Sequence, residues 1–417
     1  MNFYLNFKSF NNKMSNNPKF KNFNKKGNKI TFNIKDIDVS ILNSIRRVVL
    51  SEIPNIAFEN EPYKIDGKKV DIIQNTCSLH NEIILQRLSM LPLKFDEDEI
   101  FNFDPSSSKY KFKLLKQNKT EKMLNVTTED FEIFDENDKK YDNKFIRKIF
   151  PKNPISGDFI LITKLKPNLN DTNNGDIIEI NAVPSKKTAK DYAGFGYVSQ
   201  CVYHNIVDKK LADEELQKLL TKNASLNNKE KESLKNDFNN LDRYRHFKKN
   251  EYDEPNSFEY QIESENRVSP EFLFFKAIVI IIKKLERLIE NMIDDKIKVV
   301  KLNNIDDDIN LNKKLFRFEI ENEKHTIGNL IQSLFCNFYI REEDKKTIEF
   351  VGYNCPHPLD NVVHITIKFN ESINENEINK IFIDGIVKIQ KLLENINNKW
   401  IDFSNLNKKI IEVADFL

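Results

Sequence analysis

Two adjacent arginines, Arg46 and Arg47, are the residues of this chain whose type and spacing point most directly to chemistry. A guanidinium is planar, permanently charged and carries a fork of donors, so a neighbouring pair suits capture of carboxylates at an interface. The competing reading is an ordinary solvated helix face. Nucleophiles are less promising. Cys77 with His80, or Cys355 with His357, could be drawn as a thiol–imidazole site, but a nucleophile and its base rarely come from such close positions on one strand or loop. His325 and His357 sit beside Gly or Pro corners and read as structural hydrogen-bonding residues, so no residue is assigned a catalytic role. Lysines and aromatics interleave over residues 1–28 and again from Tyr244 to Tyr252, a pattern able to touch phosphates and stack on bases.

Composition narrows these options. Lys+Arg 65 against Asp+Glu 64 leaves a net charge of +1, which argues against a protein whose main work is neutralising phosphate. The stand-alone nucleic-acid-binding reading is therefore the alternative, and contact with DNA is expected only indirectly. The four cysteines are scattered without a C-x-x-C pair, which fits reduced thiols in an intracellular compartment and no cysteine-built metal site. The most apolar run, 272–282, is too short to span a bilayer and contains Lys276, so no membrane contact is expected. No signal peptide is legible. Abundant Asn, Lys and Ile with only 9 Gly match an AT-rich genome.

The elements that would position Arg46 and Arg47 occur twice. Ile30, Phe32 and Ile34 alternate as a strand, and Ile41, Ile45, Val48 and Val49 follow at helical spacing. Phe316, Phe318 and Ile320 alternate likewise, followed by Ile327, Ile331, Leu334 and Phe335. Ile34 and Ile320, Ile41 and Ile327, and Asn43 and Asn329 are each 286 positions apart. That distance is too long for a solenoid repeat and indicates two related modules in one polypeptide. The apolar helix faces match. The opposite faces differ, carrying Asn43, Arg46 and Arg47 in one case and Asn329, Gln332 and Ser333 in the other. A near-symmetric pair with one charged and one neutral outer face would take two different partners, or one partner in a single orientation.

The fold expected is α+β: two related modules forming an intramolecular pseudo-dimer, the first interrupted by an inserted β-rich domain. Residues 1–28 read as an N-terminal extension. The first module covers 29–54 and 187–295, with Asp38 or Ser40 capping its first helix and a charged helical insertion at 208–247. The inserted domain spans 55–186, residues 296–313 form a linker, and the second module covers 314–417. Each module ends in a long amphipathic helix. The first starts at Ser269-Pro270-Glu271. Phe274, Ile278, Ile281 and Leu285 on one helix and Phe382, Ile386, Ile389 and Leu393 on the other should pack between modules with Ile327 and Ile331, because a lone module would expose a large apolar patch. A flexible linker of this length reaches roughly 20–25 Å and holds the halves at about millimolar effective concentration. The chain should therefore behave as a monomer.

With these residues in place a family resemblance is visible. Asn43 to Ala57 (NSIRRVVLSEIPNIA), then Asn75-Thr-Cys-Ser and Gln86-Arg87-Leu-Ser-Met-Leu-Pro92-Leu93, resemble the larger α-like subunit of multisubunit DNA-directed RNA polymerases. Glu323-Lys-His325-Thr-Ile-Gly328-Asn329-Leu and Gly352-Tyr353-Asn-Cys-Pro356-His357-Pro358-Leu359 resemble the two motifs of the smaller α-like subunit. The resemblance covers most of 29–93, 156–205 and 255–295 and nearly all of 314–398. In cellular relatives the halves are separate chains of a heterodimer; here they look fused, similar to the arrangement in some large DNA viruses.

The resemblance implies a non-catalytic platform that binds the second-largest and largest polymerase subunits within a hetero-oligomer, with small polymerase subunits as further candidates. It places Asn43, Arg46 and Arg47 at the second-largest subunit. Arg87 would make a nearby contact or an internal salt bridge. It implies no cofactor, because 94–186 lacks the cysteine cluster that holds zinc or iron–sulfur in many larger subunits. The block Ala189 to Gly196 departs from the family pattern, and 208–247 has no obvious counterpart. The compartment implied is the nucleus, or host cytoplasm and virion for a viral source.

Overall fold

The computed structural model describes residues 18–59, 69–104, 109–168, 170, 174–265, 268–302, 314–341, 347–370 and 373–406. Most of the expected N-terminal extension, residues 1–17, and most of the linker, 303–313, lie outside the described residues. In chain order the first part contains β1 (Lys19–Lys26), β2 (Lys29–Lys35), α1 (Val39–Ser51), β3 (Asn55–Ala57), β4 (Val70–Asn75), α2 (Asn81–Ser89) and α3 (Glu97–Phe101). The middle contains β5 (Lys111–Gln117), β6 (Leu124–Thr127), β7 (Glu132–Phe134), α4 (Asn143–Ile149), β8 (Leu161–Leu165), β9 (Ile177–Ala182) and β10 (Ser185–Lys187). Then come β11 (Val198–Asn205), α5 (Lys209–Lys222), α6 (Asn228–Asn240), β12 (Ser257–Ser264) and α7 (Pro270–Ile293). The last part contains β13 (Lys298–Lys301), β14 (Leu315–Glu321), α8 (His325–Phe335), β15 (Ile348–Asn354), β16 (Val362–Phe369) and α9 (Ile378–Ser404).

The chain divides into two compact units. One comprises residues 1–48, 200–262 and 274–405 and holds both repeats. Its two four-stranded sheets have the orders β1-β2-β12-β11 and β13-β14-β16-β15, so each module runs strand, strand, helix, two further strands and a long helix. The repeat is kept to the backbone. Asp36 and Asn322, 286 positions apart, both take left-handed φ values of 62° and 61° where strand turns into helix. Asp and Asn tolerate that region better than other residues with a Cβ.

Two expectations are corrected at the start of each module. Residues 19–26 belong to no extension but form β1, antiparallel to β2 with Phe20 opposite Ile34. Residues 298–301 are likewise no linker but β13, antiparallel to β14. Both are short, lysine-rich edge strands, and lysine on an edge is a usual guard against stray pairing. A bulge between Lys21 and Asn24, with Asn22 at φ 54°, breaks the alternation of β1. Phe20 and Phe23, three apart, then lie on one side: both rings contact Trp400 and Phe403.

The core of this unit is aromatic at one end and aliphatic along its helices. Phe32 stacks on Tyr260 at 5.5 Å, and Trp400 lies 4.5 Å from Phe32 and 4.4 Å from Phe274 between ring centroids. Phe274, Ile278, Ile281 and Leu285 of α7, Ile327 and Ile331 of α8, and Phe382, Ile386, Ile389 and Leu393 of α9 are all at most 1% exposed. Phe382 packs its ring on Phe318 and Phe335 of its own module, whereas Trp400 and Phe403 carry aromatic contacts across to the first module. Gly385 lets α9 approach α8 closely, since a Cβ there would land on the Phe335 ring.

The other unit is made of residues 49–199 and 263–273 and, among the described residues, holds the sheets β4-β9-β5-β7, β6-β8 and β3-β10. Phe58, Phe112, Phe131 and Phe150 form its buried ring cluster. Within 208–247 the chain forms two helices, α5 and α6. Among the described residues no helix is long and apolar enough to cross a membrane, and no group of three or more His, Cys, Asp or Glu is arranged to hold a metal.

Candidate functional site

The α1 helix opens at Val39 with Asp38 as its cap, Asp38 Oδ1 accepting from the Ser40 amide at 2.8 Å. That leaves the carboxylate other lone pairs, and the second module fills them. Ser333 Oγ donates to Asp38 Oδ2 at 3.0 Å and Asn337 Nδ2 donates to the same oxygen at 2.9 Å. At the far end of α1, Arg47 Nε donates to Thr326 Oγ1 at 2.8 Å, and Ser44 Oγ donates to the Thr326 carbonyl at 3.4 Å. The start of each helix therefore meets the end of the other, so α1 and α8 cross antiparallel. Arg47 and Ser333 occupy matching positions, 286 apart, and each bonds to the opening turn region of the other helix.

The helix faces read as outer from the sequence meet across the modules at Arg47 and Ser333. Arg47 and Ser333 are the polar ends of one pairing surface, although Arg47 is also exposed. Arg46 behaves differently. Its Nε and Nη2 donate to Asn43 Oδ1 at 3.2 and 2.9 Å, which fixes the half-buried side chain along its own helix. Among the described residues no carboxylate pairs with Arg46. Its charge is felt on the neighbouring sheet. Burial pushes the Cys201 thiol up to about 11, with the Tyr260 hydroxyl and then Arg46 opposing that rise. A positioned guanidinium without a carboxylate is chemically prepared to take one from outside.

Arg87 lies exposed on α2 in the β-rich unit, and its Nη1 donates to the Ile162 carbonyl. The internal salt bridge expected as one reading is replaced by a hydrogen bond to backbone. Arg87, Met90, Leu91 and Ile160 line a groove of about 390 Å³, whose floor and rim are mostly apolar. The Met90 side chain is 58% exposed there.

The motif residues of the second module are structural in their contacts. Gly328 has no room for a side chain, because a Cβ would sit 2.6 Å from Tyr353 and 2.8 Å from Val363. His357 Nδ1 accepts from the Leu359 amide at 3.2 Å, and Lys324 Nζ donates to the Pro358 carbonyl at 3.1 Å, so Pro356, His357 and Pro358 form a held turn. Asn329 is half-buried on α8. His325 approaches a thiol, but that of Cys355, with Nδ1 3.7 Å from Sγ. Two cations of the Tyr244–Tyr252 segment pair with flanking carboxylates, Arg245 with Asp242 at 2.9 Å and Lys249 with Asp253 at 2.7 Å.

Reasoning from the sequence missed Asp38 and Asn337 as cross-module partners, the Lys284–Glu323 ion pair at 3.1 Å between α7 and the start of α8, and Trp400. Trp400 had a signal, since Ile389, Leu393, Ile396 and Trp400 continue one helical stripe. The polar partners had none beyond the repeat itself.

Comparison with known proteins adds an independent finding. The family described as RNA polymerase Rpb3/Rpb11 dimerisation domain matches residues 31–285, and a second family of the same description matches 316–399. Over 229 residues the chain is 28% identical to DNA-directed RNA polymerases I and III subunit rpac1 of Dictyostelium discoideum, covering 51% of this chain and 61% of that protein. It is 24% identical to DNA-directed RNA polymerases II, IV and V subunit 3 of Arabidopsis thaliana, over 48% of this chain and 62% of that one. It is 25% identical to DNA-directed RNA polymerase subunit Rpo3 of Pyrococcus furiosus, over 64% and 94% respectively. The chain thus spans about three fifths of the length of the first two relatives.

Proposed function

The chain belongs to the RNA polymerase Rpb3/Rpb11 dimerisation-domain family, and from that premise we propose that it is the non-catalytic assembly platform of a DNA-directed RNA polymerase. One observation carries the proposal: dimerisation-domain matches cover both halves of a chain whose halves build matching sheets within one compact unit. What cellular relatives build from two chains, this chain builds from one. The largest and second-largest polymerase subunits are its partners, and small polymerase subunits are further candidates. Arg46, steadied by Asn43 and lacking a carboxylate, supports the contact with the second-largest subunit. Arg47 contributes there only through its exposed edge, because its Nε already serves Thr326. The apolar groove beside Arg87 supports a second contact.

Catalysis, on this proposal, belongs to the large subunits, and DNA is met only through them. The chain works where its polymerase works: the nucleus for a nuclear genome, host cytoplasm and virion if the fusion reflects a large DNA virus. Affinity purification of the tagged full chain from its native source tests the reading. Large polymerase subunits should co-purify, and their absence would remove the proposal. Arg46→Ala should leave folding intact and lower capture of the second-largest subunit by about 30-fold or more, in line with loss of one buried charged contact.

A further inference from the structure

The segment between α6 and β12 returns to the first module as a narrow ladder, with Phe247 bridged to Val207 and Lys249 to Pro255, both antiparallel. Its tip is fixed by its own residues. Asn250 Oδ1 accepts from the amides of Tyr252 and Glu254, each at 2.9 Å, and Asp253 takes a left-handed φ of 64°. The amide of Asp36 donates to the Asn256 carbonyl at 2.8 Å, tying the base of the ladder to the turn before α1. Glu254 is therefore presented on a rigid stem.

In the second module α8 runs directly into a π-turn over Cys336–Arg341. Such wide turns are rare and recur where a helix must aim particular side chains. Here the turn aims Asn337 and Arg341 at the first module. Arg341 Nη1 donates to Glu254 Oε2 at 2.8 Å and to Asn337 Oδ1 at 2.9 Å, while Nη2 donates to Glu254 Oε1 at 2.7 Å. The guanidinium carbon also lies 4.6 Å from the centre of the Tyr252 ring. With Asn337 bonded to Asp38, two carboxylates of the first module enclose one π-turn of the second. A bidentate fork stacked on an aromatic face is the geometry in which arginine cannot be replaced by a generic cation.

The repeat shows what other pairings would lose. The positions 286 residues before Asn337 and Arg341 are Ser51, at the end of α1, and Asn55, beyond it in the β-rich unit, and neither carries a charge. Asn55 is moreover buried, in β3. If two first modules paired in this way, Glu254 would meet no cation. The second module has no counterpart of the 250–254 tip, because β15 and β16 are joined by the turn at 355–361. If two second modules paired, Arg341 would meet no carboxylate.

We infer that the 250–254 tip and the 336–341 π-turn form a pairing latch, which selects first-with-second pairing over like-with-like pairing. The latch rests on the reading of the two halves as dimerisation domains, but its test contains no polymerase, so either idea can fail without the other. The full chain is made with a specific protease site in the turn between α7 and β13, at residues 294–296, cut after folding, and mixed with an excess of isotope-labelled cut chain. Native mass spectrometry then follows exchange of the second-module fragment and the fraction of like-paired fragments. Glu254→Gln and Arg341→Gln, each checked by circular dichroism, should exchange about 3- to 5-fold faster than wild type, the upper part of the range for a partly exposed pair with good geometry. Both should raise the like-paired fraction. The exchanged pair, Glu254→Arg with Arg341→Glu, should return to within about twofold of wild type, a rescue that a merely local structural role would not give. Wild-type exchange in the glutamine variants, an unchanged like-paired fraction, or further loss in the exchanged pair would each overturn the latch.

Discussion

Arg46 and Arg47 are neighbours in sequence with different work to do. Arg47 bonds across the module boundary to Thr326, and Arg46 is held by Asn43 without a carboxylate. A double-mutant cycle separates these roles. Arg47→Ala and Thr326→Val should each cost about 1 kcal/mol in urea unfolding, the usual net value of one hydrogen bond, and together little more than either alone. Arg46→Ala should hardly move the midpoint. Cys201, buried and with its thiol raised to about 11, should resist alkylation at pH 8 in the native protein, as mass spectrometry of the labelled chain would read. The Glu254 carboxylate is lowered below its ordinary range, first by its hydrogen bond from Arg341, with the Arg341 charge and Asn250 acting in the same direction. A lowered carboxylate contributes fully above the ordinary glutamate value near about 4.3 and loses that contribution as pH falls through its folded value. The pairing should therefore be insensitive to pH from neutrality to about 5 and weaken in stronger acid.

At the scale of elements, α9 matters most. Trp400, near its end, packs on Phe32 and Phe274 of the first module and on Phe20 of the edge strand β1. Trp400→Ala should cost about 3–5 kcal/mol, the range for emptying a buried aromatic site. Because it is the only tryptophan, its emission reports this junction directly. Emission should be blue-shifted in the folded chain and move to the red with global unfolding. Earlier in the same helix, Gly385→Ala would press a methyl group onto Phe335 and should destabilise by about 1–3 kcal/mol, read by the same signal. Strand β1 explains why an apparently featureless lysine-rich stretch is part of the module: its bulge lays two phenylalanines against that tryptophan.

For the whole molecule the consequence of fusion is concentration independence. Joined modules meet as an intramolecular event, across the short turn between α7 and β13, rather than at a concentration set by two separate chains. The isolated chain should scatter light as a monomer across a hundredfold range of concentration, and a stable homodimer would contradict the pseudo-dimer. The unlike ends of the pair, with arginine at one position and serine at the other, give the paired modules a direction, which the proposed platform role would use.

Much of this was written in the sequence because the hydrophobic effect leaves a periodic record. The apolar stripes of α1, α7, α8 and α9, the strand alternation at Ile30–Ile34 and Phe316–Ile320, and the constant spacing of 286 define two modules before any coordinates are known. Polar pairings leave no such record. Asp38 with Ser333 and Asn337, Arg47 with Thr326, and Glu254 with Arg341 join residues 279 to 299 positions apart, or 87 in the last case, and their types alone permit many partners. Sequence by itself determined that the halves are related and share a core pattern. Only the tertiary structure decided how they meet, because hydrogen-bond direction, the bulge in β1 and the π-turn after α8 depend on distances of a few ångströms that no periodicity encodes.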